Sequence, residues 1–334
     1  MSRLIRPDDF FLFVEKARSI GLRSLLGKIV GTGRKRTEES WGHTSSARSN
    51  WWDLDEVTKR WNRLITGNAD LAYQDYVGKK YLGGKRNLQA ISVGCGTGQK
   101  EIQWAATKRF RTISGFDISG PRIAFAREQA RKSTWNDSLR FSIGDVFHLD
   151  LPASSFDVAI FDNSLHHCSP LGPVLDRTAE WLKEDGILVV NEYVGPDRFQ
   201  WTDEQVVITD TLLQLLPVHL RTRPDGTVKS RMLRPGTLAV RINDPSEAAE
   251  SNSILSALEN RFDVLELRPY GGTVLANLLK DIAHNFEDDG DDARAWLKIL
   301  FDVEDRLMNE KRISSDYYFG VYRKRNTRKL ARRK

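Results

Sequence analysis

The chain has 334 residues, 40% of them hydrophobic and 29% charged, with two cysteines and a formal net charge of +6. That mix is ordinary for a globular protein with a full core, and two cysteines without a CxxC spacing exclude a disulfide framework or a cysteine-built metal site. No apolar run approaches the roughly 20 residues of a membrane-spanning helix, so none is expected.

Cys95 and Cys168 read as small filler residues of a reducing, cytoplasmic setting. The N-terminal stretch "MSRLIRPDDFFLFVEKAR" is broken by Pro7, Asp8 and Asp9, so it is not read as a signal peptide. The charge is uneven. The last fourteen residues, "VYRKRNTRKLARRK", hold eight Lys and Arg and no acid, leaving a nearly neutral body. Such a tail suits contact with nucleic acid or anionic lipid, or a solvated, frayed terminus.

In chain order, residues 1–50 form a basic lead in which Phe10, Val14, Ala17 and Gly21 share one side, followed by the loop-like "GTGRKRTEES". Residues 51–85 predict a cap of two helices. Asp53 with Glu56 has capping-box spacing, and Leu54, Val57, Trp61, Leu64 and Ile65 share a face. Then β-like runs alternate with helical ones. "LQAISV", "RTISGFD", "LRFSIGD", "FDVAIFD" and "GILVVNEY" read as strands buried on both faces, with helices expected at 99–108, 121–132 and 171–182. Two more strands, 262–268 and 316–323, flank helical stretches near 273–285 and 291–312. Alternation of this kind predicts an α/β fold, a doubly wound, seven-stranded, mostly parallel sheet. Its core is expected over 86–195 and 261–325. Residues 196–260, with a Thr202–Gln205 capping pattern and an "RPDG" turn, form an insertion after strand five that suits a lid or substrate wall. Residues 326–334 are the basic tail.

Gly94, Gly96 and Gly98 in "SVGCGTG" lie between the first strand and a helix, where bare backbone turns tightly and admits a ligand to the helix N-terminus. The dinucleotide spacing G-x-G-x-x-G would need its third glycine at Gln99. Asp117 ends the second strand, placed to accept hydrogen bonds from ribose hydroxyls of either an NAD-type or another nucleoside ligand. "FSIGDV" puts Asp145 at the end of the third strand, and "FDVAIFDNSLHH" follows.

From Leu88 to Glu192 these motifs, with "LKEDGILVVNEY", resemble the class I S-adenosylmethionine-dependent methyltransferases, whose fold is Rossmann-like. The resemblance implies S-adenosylmethionine as cofactor. It implies that Gly94, Cys95, Gly96 and Gly98 line the cofactor's amino-acid and ribose portion. Asp117 would bind the ribose with Ile118 against the adenine, and Asp145 would meet the adenine amino group with Val146 stacking nearby. Asp162 would contact the methionine part. The family's acid two places before the first glycine is replaced here by Ser92, which leaves one ammonium contact in question.

Methyl transfer to a hydroxyl needs alignment, exclusion of water and a base. His166 and His167 follow strand four, so one of them is the candidate base, although such a pair also suits packing or capping. Glu192 ends strand five and suits orienting a histidine, binding a sugar hydroxyl or pairing with an insert arginine. Asp162 with Glu192 lacks a third clear ligand, so no metal is expected.

No N-P-P-Y or Pro-Cys stretch follows strand four, which disfavours base methylation of nucleic acid by those chemistries. "SNWWDLDEVTKRWNRLITG", "NEYVGPDRFQWTDEQ" and "RPYGGTVLANLL" look like segments of bacterial methyltransferases that accompany polysaccharide biosynthesis. That resemblance implies O-methylation of a sugar, glycan or small-molecule hydroxyl, with Trp51, Trp52, Trp61 and Trp201 as stacking surfaces or packing, and Arg231 and Arg234 as anion contacts or a solvated loop. RNA methylation recruited by the tail, a lipid or polyketide-type acceptor, and a non-catalytic cofactor-binding scaffold are the other readings. Oligomeric state does not follow from the sequence.

Overall fold

The computed structural model describes residues 3–20, 50–287 and 290–325. The tail 326–334 and most of the basic lead, including "GTGRKRTEES", lie outside the described residues.

Seven strands form one sheet: β1 (Leu88–Val93), β2 (Phe110–Asp117), β3 (Leu139–Ile143), β4 (Phe156–Asp162), β5 (Leu182–Tyr193), β6 (Phe262–Gly271) and β7 (Tyr317–Lys324). Their order is β3-β2-β1-β4-β5-β7-β6, and only β7 runs antiparallel to its neighbours. The doubly wound, mostly parallel sheet expected from the alternation is thus present. β1 pairs with β2 on one side and β4 on the other, so the chain reverses its direction of build between β1 and β4. Open α/β sheets bind ligands in the crevice at that point, beyond the carboxyl ends of the strands.

Nearly continuous apolar runs let successive strand residues enter opposite layers. Ala90, Val158, Ile160 and Val189 pack with Trp104 of α4 (Gln99–Ala106) and Ile123 of α5 (Gly120–Lys132). Ile91, Ala159, Phe161, Leu188 and Val190 pack with Leu171, Val174 and Leu175 of α6 (Leu171–Trp181). Ile254 and Leu258 of α9 (Ile254–Glu259), which follows α8 (Thr237–Asn243) in the chain, join that second layer.

A third apolar cluster lies outside the sheet. It joins Trp51, Leu54 and Val57 to Leu212 and Leu213 of α7 (Asp203–Leu215), Leu278 of α10 (Leu275–Leu279), and Leu297 and Leu300 of α11 (Asp291–Asn309). The inserted segment is therefore anchored by the same core as the N-terminal helix α2 (Asp55–Thr66), while Tyr73 and Val77 of α3 (Tyr73–Lys80) pack into the first layer on the sheet. The helix α1 (Asp8–Ile20) opens on Asp8 and Asp9, whose carboxylates accept from the Arg234 and Gly236 amides at 3.0 and 2.7 Å.

Local expectations differ at several points. Asp53 does not cap α2; Asn50 and Asp53 instead close the turn Trp51–Asp53, because the chain reaches helical geometry one turn early. β3 stops at Ile143, so Asp145 lies in the turn beyond it. The stretch 273–285 is split into α10 and a short turn, Ala283–Phe286. The Thr202–Gln205 capping box forms at α7. No helix among the described residues is long and apolar enough to cross a membrane.

Candidate functional site

The glycine loop lies at the crevice between β1 and β4. All three glycines have positive φ, 67° at Gly94, 55° at Gly96 and 78° at Gly98. The amides of Gly94 and Cys95 both donate to the Phe116 carbonyl, tying the loop to β2. A Cβ on Gly94 would sit 2.5 Å from Ser164 Cβ, so the loop and the segment after β4 approach as closely as backbone allows. The Cys95 thiol is pushed well above its usual pKa by burial, with Glu101 and Asp117 adding to the effect, and stays protonated.

Three carboxylates lie at or just beyond strand ends, and Asp117 touches the loop directly. Asp117 accepts from Gly96 N at 2.9 Å and from Ser119 N at 2.8 Å, so it orders the loop and the entry to α5 together. Ile118 follows it, half-buried. Asp145 accepts from Phe147 N at 3.0 Å and lies 3.1 Å from His148 Nδ1, while Val146 is buried in the second layer. Asp162 accepts from the Tyr73 hydroxyl and from the amides of Asn191 (3.1 Å) and Asn163 (3.2 Å). Tyr73, contributed by α3, was not among the sequence candidates.

Ser92 is answered from elsewhere. Its hydroxyl donates to Glu101 Oε1 at 2.6 Å, and both residues are buried. Burial pushes Glu101 up to about 7, and its second oxygen makes no hydrogen bond among the described residues. An acid thus stands beside the first strand, supplied by the first turn of α4.

The acceptor side of the crevice gathers His166, His167 and Glu192. Glu192 is wholly buried and accepts from Ser164 N at 2.9 Å and Leu165 N at 2.6 Å, and its other oxygen is bonded to His166 Nδ1. On the far side of the ring, His166 Nε2 faces Glu247 Oε1 at 3.5 Å. Burial alone would lower the His166 pKa, but the two carboxylates outweigh it and push it up to about 10. His167 packs against His166 with ring centroids 4.1 Å apart, and its Nδ1 lies 3.2 Å from Ser246 Oγ. Burial, then the positive neighbour, push His167 down to about 3.

Asp162 and Glu192 do not share a cation site, since each carboxylate is committed to separate partners. Glu247 was missed in the sequence because it lies in the insertion with no motif around it.

The tryptophans mostly pack. Trp51 is buried edge-on to Trp61 and Tyr317, and Trp201 stacks on Phe199; among the described tryptophans only Trp52 is half exposed. Arg231 and Arg234 are used internally. Arg231 pairs with Asp8 and lies over the Phe11 ring, and Arg234 bonds the Trp201 carbonyl and Asp203.

The protein family described as "Methyltransferase domain" matches residues 84–232. Methyltransferase GfsG of Streptomyces halstedii is 29% identical over 106 residues, 32% of this chain and 38% of that protein. The erythromycin 3''-O-methyltransferase of Saccharopolyspora erythraea is 27% identical over 110 residues, 33% of this chain and 36% of that protein. The chain thus spans little more than a third of the length of these relatives. Among solved structures, the geranyl diphosphate C-methyltransferase of Streptomyces coelicolor A3(2) is similar over 89% of this chain and 100% of that one, with a TM-score of 0.48 and 14% identity. Residues 84–232 thus match a methyltransferase domain, for which S-adenosylmethionine is the cofactor, and they lie within a seven-stranded sheet whose β6 and antiparallel β7 continue beyond the match.

Proposed function

We propose that this protein transfers a methyl group from S-adenosylmethionine to a hydroxyl of a small molecule, a sugar or glycan hydroxyl foremost. The carrying observation is the placement of His166 between Glu192 and Glu247, one from the sheet and one from the insertion, at the crevice edge.

The residues present suit that cofactor. Positive-φ glycines admit a ligand where a Cβ would clash, and the carboxylates of Asp117, Asp145 and Asp162 suit ribose hydroxyls, an adenine amino group and an ammonium. Glu101 offers a further acid beside Ser92. When bound, S-adenosylmethionine supplies an electrophilic methyl group on a cationic sulfur.

On the acceptor side, Glu192 fixes the His166 ring, and Nε2 with Glu247 shares one proton across 3.5 Å. A hydroxyl delivered between them would give its proton to the Glu247 carboxylate as its oxygen gains the methyl group and the carbon–sulfur bond breaks to leave a neutral thioether. Partial burial of His166, His167 and Glu247 limits competing water. The sugar preference is supported by the name of the similar erythromycin 3''-O-methyltransferase.

Calorimetric titration with S-adenosylmethionine tests the first half, with binding expected in the parent and lost in Asp117→Ala. Transfer of a labelled methyl group to a panel of sugars and other hydroxyl compounds tests the second. His166→Ala is expected to lower turnover by roughly 100-fold or more at unchanged cofactor affinity. Parental turnover in that variant would remove the acceptor-side assignment, and equal binding by Asp117→Ala would remove the cofactor site.

A further inference from the structure

The geometry points to a divalent transition-metal site of the zinc type, held by His166, His167 and Glu247 with one coordination position open. One ligating atom from each lies within 4.8 Å of the others. Two imidazoles and one carboxylate are a donor set that suits such ions, and three protein ligands leave a fourth place for water or a substrate oxygen.

Hydrogen bonding selects the nitrogens. His166 Nδ1 is bonded to Glu192, a carboxylate with no solvent exposure, so Nδ1 carries the proton and Nε2 faces Glu247. At His167, the Ser246 hydroxyl gives its own proton to Asp244 Oδ1 at 2.6 Å. Its oxygen therefore accepts from His167 Nδ1, 3.2 Å away, and the lone pair lies on Nε2. A carboxylate or hydroxyl behind each ring is the usual support of a metal-ligating histidine. These partners come from β5 and from the insertion, so the arrangement is not a product of the His-His sequence.

Glu247 is fixed as well. Its carbonyl accepts from Arg198 Nη1 at 2.9 Å, and the next carbonyl, that of Ala248, accepts from Arg198 N at 2.7 Å. His166 Nε2 and Glu247 Oε1 are 3.5 Å apart and all three ligating atoms lie within 4.8 Å, so they need to draw together to roughly 3.4 Å around a tetrahedral ion. The cation takes the place of the proton shared by Nε2 and Glu247, and it neutralises the carboxylate pair flanking His166. Resting on the reading proposed above, the open position would receive the acceptor oxygen, whose proton, more readily lost once coordinated, would pass to bulk water rather than to Nε2 and Glu247, both of which are then ligands.

The full chain, stripped with a chelator and dialysed, is titrated with Co2+ followed by its visible d–d absorption, and with Zn2+ against a chromophoric chelator. One equivalent is expected to bind. Glu247→Gln and His167→Asn are expected to weaken binding at least tenfold, and Glu192→Gln by roughly 10–100-fold through loss of His166 orientation. His219→Ala, an exposed histidine paired with Asp292, is expected to bind as the parent does. Circular dichroism and S-adenosylmethionine binding verify the fold of each variant. Absence of stoichiometric binding, or equal affinity in Glu247→Gln and parent, overturns the site. A stripped protein that binds no metal yet methylates at full rate sinks the metal site and leaves the methyl-transfer reading intact. Metal held at the cluster by a protein that transfers no methyl group supports the site and sinks the reaction.

Discussion

Glu101 sits in the first turn of α4 with its side chain turned into the protein, 2.6 Å from Ser92 Oγ. Burial moves its pKa from 4.5 to about 7, so the folded protein prefers the neutral acid. Between those values the folded state binds more proton than the unfolded state, and stability falls as pH rises through 7. The shift corresponds to about 3 kcal/mol, fully present below pH 4.5 and lost above the folded pKa. Asp316, buried and also pushed up to about 7, adds to the same slope. Glu101→Gln keeps the shape and can still accept from Ser92, so it is expected to gain stability at pH 8.5 and little at pH 4.5. Urea unfolding of both proteins at the two pH values measures this; equal stabilities at pH 8.5 would refute it. Ser92 announced the missing acid in the sequence, but nothing local identified Glu101, because its inward direction depends on how α4 packs on the sheet.

Individual elements carry their own start signals, and of the two capping patterns read from the sequence one forms. Ser119 caps α5 by accepting from Arg122 N, with Pro121 in the first turn. At α7, Thr202 Oγ1 accepts from Gln205 N at 3.1 Å while Gln205 Oε1 accepts from Thr202 N at 2.7 Å. Thr202→Ala removes one half of that exchange and is expected to cost about 1 kcal/mol. Chemical denaturation checks the magnitude, and hydrogen exchange at the Gln205 amide, expected to accelerate, checks the place. The Asp53–Glu56 pattern has the same spacing and fails, since Asp53 Oδ2 is taken by the Asn50 amide at 2.9 Å. Spacing alone names a possible cap; the path of the chain into the helix decides whether it is used.

At the scale of the molecule, the insertion is clamped twice. Its helix α7 shares a core with α2, α10 and α11, and its loop 234–238 is held by the N-terminal arm. Asp9 takes part through Gly236 N at 2.7 Å and Arg6 N at 2.8 Å, while Thr237 N and Leu238 N donate to the carbonyls of Arg3 and Leu4. Asp9→Ala is expected to speed amide exchange at Gly236 markedly and to leave the amides of β1 and β4 unchanged. Unchanged exchange at Gly236 would show that the arm does not restrain the insertion. This restraint bears on the acceptor side, because the same insertion carries Glu247 and Ser246 to the histidine pair.

The sequence by itself determined the sheet, its central glycine loop and the carboxylates at the strand ends. Each rests on local physics: alternation of buried strands with helices, glycines where φ must be positive, and an acid where a strand stops. Only the tertiary structure decided which partners those residues meet. Tyr73 reaches Asp162 from α3, Glu101 fills the place beside Ser92, and Glu247 closes on His166 from a segment without any motif. Such contacts join parts of the chain that are remote or differently oriented, and their geometry is set by packing between elements, which no local pattern records.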